Sequence, residues 1–461
     1  MVAKIGEKPV ADCCVFFAEV CTISTFYNHH LYMRNLFISA IITGIIFSQC
    51  SPAKKSVSVV NVPAEVPKQT PVAPQAKPKV PNAGNAFMVN LLKQYPQWFS
   101  AILKDSSNSA VQVLYTSVTR DAANKPLLNT HGFNADDSVY FYPATAVALP
   151  IAMLALQKIE SLAARGVTIN STMITERAGS KQTAVYNDPF SPTGKPTVAG
   201  YIKRMLLQED EEAFNRLYEF LGQQSVNDAL QKIGFKEVQI LERLGIFLTE
   251  TENATTNPIQ FLDERGNIMY SQPATVNYKT YPKRNDYLGP AYYSNGKLYN
   301  SPMMFSYKNK IALSSLHRLL QMLVLPNAFT GNNQLSINEL HRSFLLDMLS
   351  ANAAATSQEG YPSQRQQPVA NILRSKFPNR NIGCIELGGK GYGQLTQVAY
   401  VTDPTNGQAY FLTATILANK KTVLNAGKYE YNEVAYPFLK NLALAIHEQE
   451  MKRPKNSAPI N

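Results

Sequence analysis

The segment 144–162 constrains the fold more than any other part of this chain, because it is apolar on more than one face of a helix. A helix with a single apolar stripe lies on the surface of a core, whereas one that is apolar all round is buried. The apolar side chains on its several faces are Val147, Leu149, Ile151, Leu154 and Ile159. The sequence therefore predicts a central helix that the rest of the fold surrounds.

Strand-like runs lie near both ends of the body of the chain. The early runs are 110–119 and 138–142, and the late runs are 395–402 and 408–417, with the last two joined by the turn residues 403–407. Helical patterns at 87–104 and 433–452 flank these runs, and the middle is mostly helical and rich in loops. We therefore expect an α/β (α+β) fold with an antiparallel sheet, N- and C-terminal helices against it, and an inserted helical lobe.

The predicted body covers residues 87–455, and residues 456–461 form a tail. The α/β lobe takes residues 87–142 and 380–455, and the helical lobe takes residues 143–379, with a cleft between the two lobes. The body contains one cysteine, Cys384, so no disulfide within it is possible.

The N-terminal region is typical of an exported protein. Residues 36–48 form an apolar run behind Met33 and Arg34, too short to cross a bilayer that needs ~20 residues. The run ends at Cys50, and residues 33–50 resemble a bacterial lipoprotein signal in which that cysteine receives the lipid. Residues 1–32 are then a doubtful upstream extension, and the alternative is that residues 1–50 form a longer membrane anchor.

Residues 51–86 form a proline- and lysine-rich tether, predicted to be disordered. They hold seven prolines, five lysines and one acid, which accounts for four of the eleven net positive charges. The body keeps a mild charge of about +7 with dispersed basic residues, so nucleic acid is not an expected partner. An anionic membrane surface or a cell-wall polymer suits the tether better.

The segment YFYPATAVALP (140–150) resembles the start of a nucleophile-bearing helix. In class A β-lactamases and penicillin-binding proteins this segment reads Pro-Ala-Ser-x-x-Lys. The resemblance extends over 87–455 through NRLYEFLG (215–222), NPIQF (257–261), SPMMFSYKN (301–309) and YGQLTQVAY (392–400). It implies a serine-hydrolase fold, but Thr145 and Ala148 occupy the serine and lysine positions. Thr145 is then either an unusual nucleophile or, as we expect, a helix N-cap.

Two further family motifs are also substituted. Glu209, Asp210 and Glu211 align with the family's Ser-Asp-Asn, and these acids either face solvent or make the cleft negative. Leu387, Gly388 and Gly389 align with Lys-Thr-Gly, so the cation that would pair with a substrate carboxylate is lost. Further cleft candidates are Lys390, expected on the strand face opposite Leu387 unless a bulge intervenes, and Glu250, a weak match to the family's water-activating glutamate.

These substitutions favour a pseudoenzyme, since losing a catalytic serine or its base costs on the order of 10⁶ in turnover. Our leading hypothesis is a lipid-anchored envelope protein, on the periplasmic side or the cell surface, that binds a cell-wall peptide, a glycan or a protein. The alternatives are an active hydrolase that uses Thr145 or a non-standard site, and a structural tether with a collapsed cleft. No cofactor or metal is expected, since the histidines show no ligand spacing.

Overall fold

The computed structural model describes residues 85–104, 110–329, 334–335, 337–350, 361, 363–419 and 423–454. The predicted extension, signal and tether, including Cys50, lie outside the described residues, as does the predicted tail.

A five-stranded antiparallel sheet is built from both ends of the body, as expected. Its strand order is β10-β11-β12-β1-β2. The strands are β1 (Gln112–Arg120), β2 (Pro126–Phe133), β10 (Gly383–Gly391), β11 (Gln394–Asp403) and β12 (Gln408–Leu417). Strands β1 and β12 pair antiparallel, so early and late parts of the chain meet at the centre of the sheet. This arrangement confirms the predicted α/β fold.

The prediction of a strand at 138–142 is wrong, and the second early strand is β2 instead. Asp136 forms a turn, in which its carboxylate accepts from the backbone N–H of Ser138 at 2.9 Å. The chain then carries Tyr140 and Tyr142 into contact with Phe305, at ring distances of 5.8 Å in each case. Burial of these rings, and not strand pairing, explains the apolar pattern of the segment.

The terminal helices pack on one face of the sheet. The predicted single helix at 87–104 is two helices, α1 (Ala86–Lys93) and α2 (Pro96–Lys104), because a proline lacks the N–H needed to continue α1. At the other end, a π-helical turn (Tyr431–Ala435) leads into the last helix of the fold, Tyr436–Met451. Leu442 and Ile446 of that last helix are fully buried in this layer.

The central helix is α3 (Ala148–Leu162), preceded by a 3₁₀ turn (Ala144–Val147). By length and composition the stretch Ala144–Arg165 is apolar enough to cross a membrane, but it lies mostly buried inside the protein. It is the core helix that the sequence predicts.

The insert contains more β structure than expected. Its helices are α4 (Val198–Gln208), α5 (Glu211–Leu221), α6 (Gln223–Lys232), α7 (Glu250–Ala254), α8 (Leu313–Val324), α9 (Glu339–Leu349) and α10 (Pro368–Lys376), which makes the last helix α11. Small sheets lie among them. Their strands are β3 (Thr172–Thr175), β4 (Ile259–Leu262), β5 (Ile268–Gln272), β6 (Tyr287–Leu288), β7 (Ala291–Ser294), β8 (Lys297–Tyr299), β9 (Met303–Met304) and β13 (Val423–Leu424).

Candidate functional site

Thr145 lies in a strained turn at the start of the central helix. Ala144 has a φ of 46°, a left-handed conformation that an alanine adopts at a cost of about 1–2 kcal/mol. The Thr145 hydroxyl donates to the carbonyl oxygen of Gly388 at 3.2 Å. The prediction that this threonine is a helix N-cap is wrong, since the residue before the turn is Pro143 and no side chain caps it. The hydroxyl instead ties the central helix to β10.

Ala148 and Leu387 are both part of the main hydrophobic core. Each is 2% exposed, and both belong to the same buried cluster as the rest of α3. At these two positions the aligned family motifs carry lysines. The described structure thus has apolar packing where the motif would supply a base and a substrate-binding cation.

Gly389 brings the backbone of β10 into direct contact with the Thr145 turn. A methyl group added at Gly389 would lie 2.4 Å from the carbonyl oxygen of Pro143 and 2.5 Å from the backbone nitrogen of Ala146. Both neighbours are backbone atoms with little freedom to move. Only glycine fits this contact, and the predicted cleft candidates Gly388 and Gly389 both serve to join the strand to the turn.

Lys390 is exposed, and its strand pairs with β11 in uninterrupted register from Gly383 to Gly391. The bulge that would turn this side chain toward the Leu387 face is therefore absent from β10. Lys390 is instead close to Glu209. Burial raises the pKa of Glu209, and the positive charges of Lys390 and Arg365 act in the opposite direction by stabilising its carboxylate. The charge of Lys390 therefore affects Glu209 of the second motif and not the Thr145 turn.

The second motif forms the junction between α4 and α5. Glu209 has a φ of 56° and ends α4, while Asp210 is the N-cap of α5 and accepts from the backbone N–H of Ala213 at 3.0 Å. Arg204 forms ion pairs with Asp210 at 2.6 Å and with Asp188 at 3.3 Å. Asp210 thus has a structural role, because it caps a helix and pairs with a buried arginine.

Glu211 and Glu250 line two different cavities. Glu211 contacts Gly245 and helps to line a cavity of ≈ 520 Å³. Burial, and then the neighbouring charge of Asp210, raise the pKa of Glu211. Glu250 is the first residue of α7 and lines a second cavity of ≈ 920 Å³. Thr145 lines neither of these two cavities.

The second cavity, which we call the aromatic cleft, is lined by parts of 239–254 and 276–308, together with Tyr142, Gln223 and Tyr392. Inside it, the Lys308 ammonium pairs with Glu242 at 3.0 Å. That ammonium lies 5.8 Å from the ring centre of Tyr142, 6.0 Å from that of Phe305 and 5.5 Å from that of Tyr392. Burial raises the pKa of Glu242, and the charge of Glu242 raises the pKa of Lys308 against the effect of burial.

Sequence reasoning missed this cleft. Lys308 and Tyr392 fall within segments that carry the family resemblance, but no motif marks them as cleft residues. A signal was available in the density of tyrosines at 270–307, where eight of the 24 in the chain occur. Across the described ranges, no group of three or more His, Cys, Asp or Glu side chains converges to hold a metal ion.

Comparison with known proteins agrees with the motif analysis. A model of the β-lactamase enzyme family matches residues 99–275, and no curated protein matches the chain. Among solved structures, a β-lactamase from Xanthomonas campestris pv. campestris is 12% identical, with 78% of this chain and 98% of that chain covered and a TM-score of 0.43. A β-lactamase from Desulfarculus baarsii is 14% identical, with 77% and 98% covered and a TM-score of 0.41.

An ancestral class A β-lactamase is 14% identical, with 77% of this chain and 99% of that chain covered and a TM-score of 0.40. The matched region 99–275 contains the Thr145 turn, the central helix and the junction of α4 with α5. Over residues 99–275, the chain is therefore similar to the β-lactamase enzyme family.

Proposed function

We propose that this protein is a catalytically silent member of the β-lactamase family that binds a ligand without covalent chemistry. One observation carries the proposal: the Thr145 hydroxyl donates to the Gly388 carbonyl, while Ala148 occupies the position of the base. A hydroxyl is a weak nucleophile unless an adjacent base accepts its proton. A carbonyl oxygen accepts a hydrogen bond but does not take up that proton, so the hydroxyl is not activated.

The loss extends beyond the nucleophile. Leu387 lies buried where the third motif would present a cation, so a substrate carboxylate has no partner there. Truncating one member of a buried charge pair costs about 2–5 kcal/mol. Removal of a catalytic serine or its base costs on the order of 10⁶ in turnover, and the two losses do not add. These magnitudes favour a binding protein over a slow hydrolase.

Two cavities of ≈ 520 Å³ and ≈ 920 Å³ favour binding over a purely structural role. Ligand sites in proteins commonly have volumes of about 300–1,000 Å³. A tether with a collapsed interior would have no need of such openings. The proposed function therefore places the ligand away from the Thr145 turn.

Turnover of a chromogenic cephalosporin tests the proposal. We expect the wild-type rate to equal that of a Thr145→Ala variant and of buffer alone. Thr145→Ser serves as a matched control that keeps the hydroxyl. Turnover that Thr145→Ala abolishes would support the alternative of an active hydrolase with a threonine nucleophile.

The proposed location is the bacterial envelope, with a lipid on Cys50. The support is the order of a short apolar run, a cysteine and a proline- and lysine-rich tether in the sequence. Metabolic labelling with an alkyne fatty acid checks this, and we expect label on the wild type and on Cys21→Ser but none on Cys50→Ser. Label that persists in Cys50→Ser would exclude the lipoprotein assignment.

A further inference from the structure

The aromatic cleft has walls that the family match does not cover. Most of one wall comes from 276–308, which lies beyond the matched residues 99–275. Strands β6 to β9 lie in this stretch, so the wall has a folded framework. With a volume of ≈ 920 Å³, the cleft is large enough for a ligand of several rings.

The rim of the cleft presents aromatic rings to solvent. Phe247 is 90% exposed, Tyr278 is 86% exposed and Tyr307 is 51% exposed. None of these three rings stacks on another ring among the described residues. All three rings line the cleft, and their exposed faces are suited to pack against flat ligand faces there.

The charges that line the cleft are paired within the protein. Lys308 pairs with Glu242 at 3.0 Å, and Arg284 pairs with Asp286 at 3.3 Å. Other lining charges are paired in the same way: Arg243 with Glu219 and Lys279 with Asp228. The remaining two, Lys283 and Glu250, are exposed and opposite in sign. A cleft with no net charge to offer favours an uncharged ligand.

A hydrogen-bonding group lies at the inner end of the cleft. Tyr142 is 8% exposed, and its hydroxyl has no hydrogen-bond partner among the described residues. Burial raises the pKa of this hydroxyl, so it stays protonated and able to donate. A buried tyrosine hydroxyl usually finds a partner, and here a ligand in the cleft would supply one.

We propose that the aromatic cleft binds an uncharged oligosaccharide strand, whose C–H faces pack on Phe247 and Tyr278 and whose hydroxyl groups bond to Tyr142. The inference rests on the proposed function of non-covalent binding and names its site and ligand class. Sugar rings combine flat apolar faces with many uncharged hydroxyls, which matches exposed rings around a neutral polar interior. Proline-rich peptides also dock on aromatic grooves, and the test separates them.

Isothermal titration of the full chain with chitotetraose, cellotetraose and maltotetraose tests the inference. We expect saturable binding of at least one of them, weakened about tenfold by the double change Phe247→Ala and Tyr278→Ala, which corresponds to a loss of about 1.4 kcal/mol. Tyr142→Phe removes only the hydroxyl and should weaken binding a few-fold. Tyr186→Ala, an exposed tyrosine that does not line the cleft, is the matched control and should leave the affinity unchanged.

Three outcomes would overturn the inference: no binding of any of the three sugars, equal binding by the double variant, or tighter binding of a proline-rich peptide. Thr145→Ala should not alter sugar affinity, because Thr145 does not line the cleft. β-Lactam turnover would contradict the proposed function and leave the sugar titration unaffected. Absence of both turnover and sugar binding would contradict only this inference.

Discussion

The Thr145 turn and the aromatic cleft are only three residues apart in sequence, from Tyr142 to Thr145, but they differ in what surrounds them. Around the turn, Ala148 and Leu387 fill the positions of charged groups and Gly389 holds β10 against the backbone. Around the cleft, exposed rings and paired charges enclose open space. The comparison shows that the two aligned motif positions are packed into the core, while the open space lies beside them and is lined in large part by residues of 276–308.

The largest expected effect comes from restoring the lysine of the first motif at the turn. Ala148→Lys places an ammonium in the core, and an unpaired buried charge should lower the free energy of unfolding by about 4 kcal/mol. Urea denaturation followed by circular dichroism measures this. Ala122→Lys, at an exposed alanine, should stay within about 0.5 kcal/mol of wild type. A loss below about 1 kcal/mol for Ala148→Lys would mean that the turn keeps space and a partner for a base.

A smaller effect tests the contact between β10 and the turn. Gly389→Ala adds a methyl group 2.4 Å from one backbone atom and 2.5 Å from another, so we expect a loss of about 3 kcal/mol from overpacking. Gly179→Ala is the matched control, because the nearest atom to an added methyl group there is 4.0 Å away. Equal stability of the two variants would show that strand and turn separate easily, which contradicts a packed site.

The smallest expected effect is a pH dependence at the junction of α4 and α5. Burial, and then Asp210, raise the pKa of Glu211 above 4.5. Protonated Glu211 therefore stabilises the folded state. This contribution is fully present below the pKa of Glu211 in the unfolded chain and is lost as the pH rises through its pKa in the folded protein. Glu211→Gln should therefore gain stability relative to wild type between pH 4.5 and neutrality.

Denaturation at a series of pH values measures that gain, with Glu264→Gln at an exposed glutamate as the control. A difference between Glu211→Gln and wild type that does not change with pH would show that Glu211 is solvated as freely as a surface acid. Glu219 would then be the buried carboxylate on the wall of the ≈ 520 Å³ cavity.

The sequence predicts the sheet and the central helix well, because strand alternation in 408–417 and apolar faces in 144–162 are local signals. The strand prediction fails at 138–142. There the rings of Tyr140 and Tyr142 are buried against Phe305, which is distant in sequence, and not in a strand pair. The hydrogen bond from Thr145 to Gly388 is hidden for the same reason, since its partners are 243 positions apart. The aromatic cleft also depends on such long-range contacts, so the density of tyrosines at 270–307 marks one of its walls but does not reveal the Tyr142 and Tyr392 side chains that close it.

Intact-mass spectrometry of the full chain with a penicillin and a cephalosporin tests most directly the claim that the Thr145 turn is closed to covalent chemistry. We predict an unchanged mass after prolonged incubation, both for wild type and for Thr145→Ala. A mass increase equal to one β-lactam, mapped to Thr145 by peptide analysis and lost in Thr145→Ala, would contradict the account.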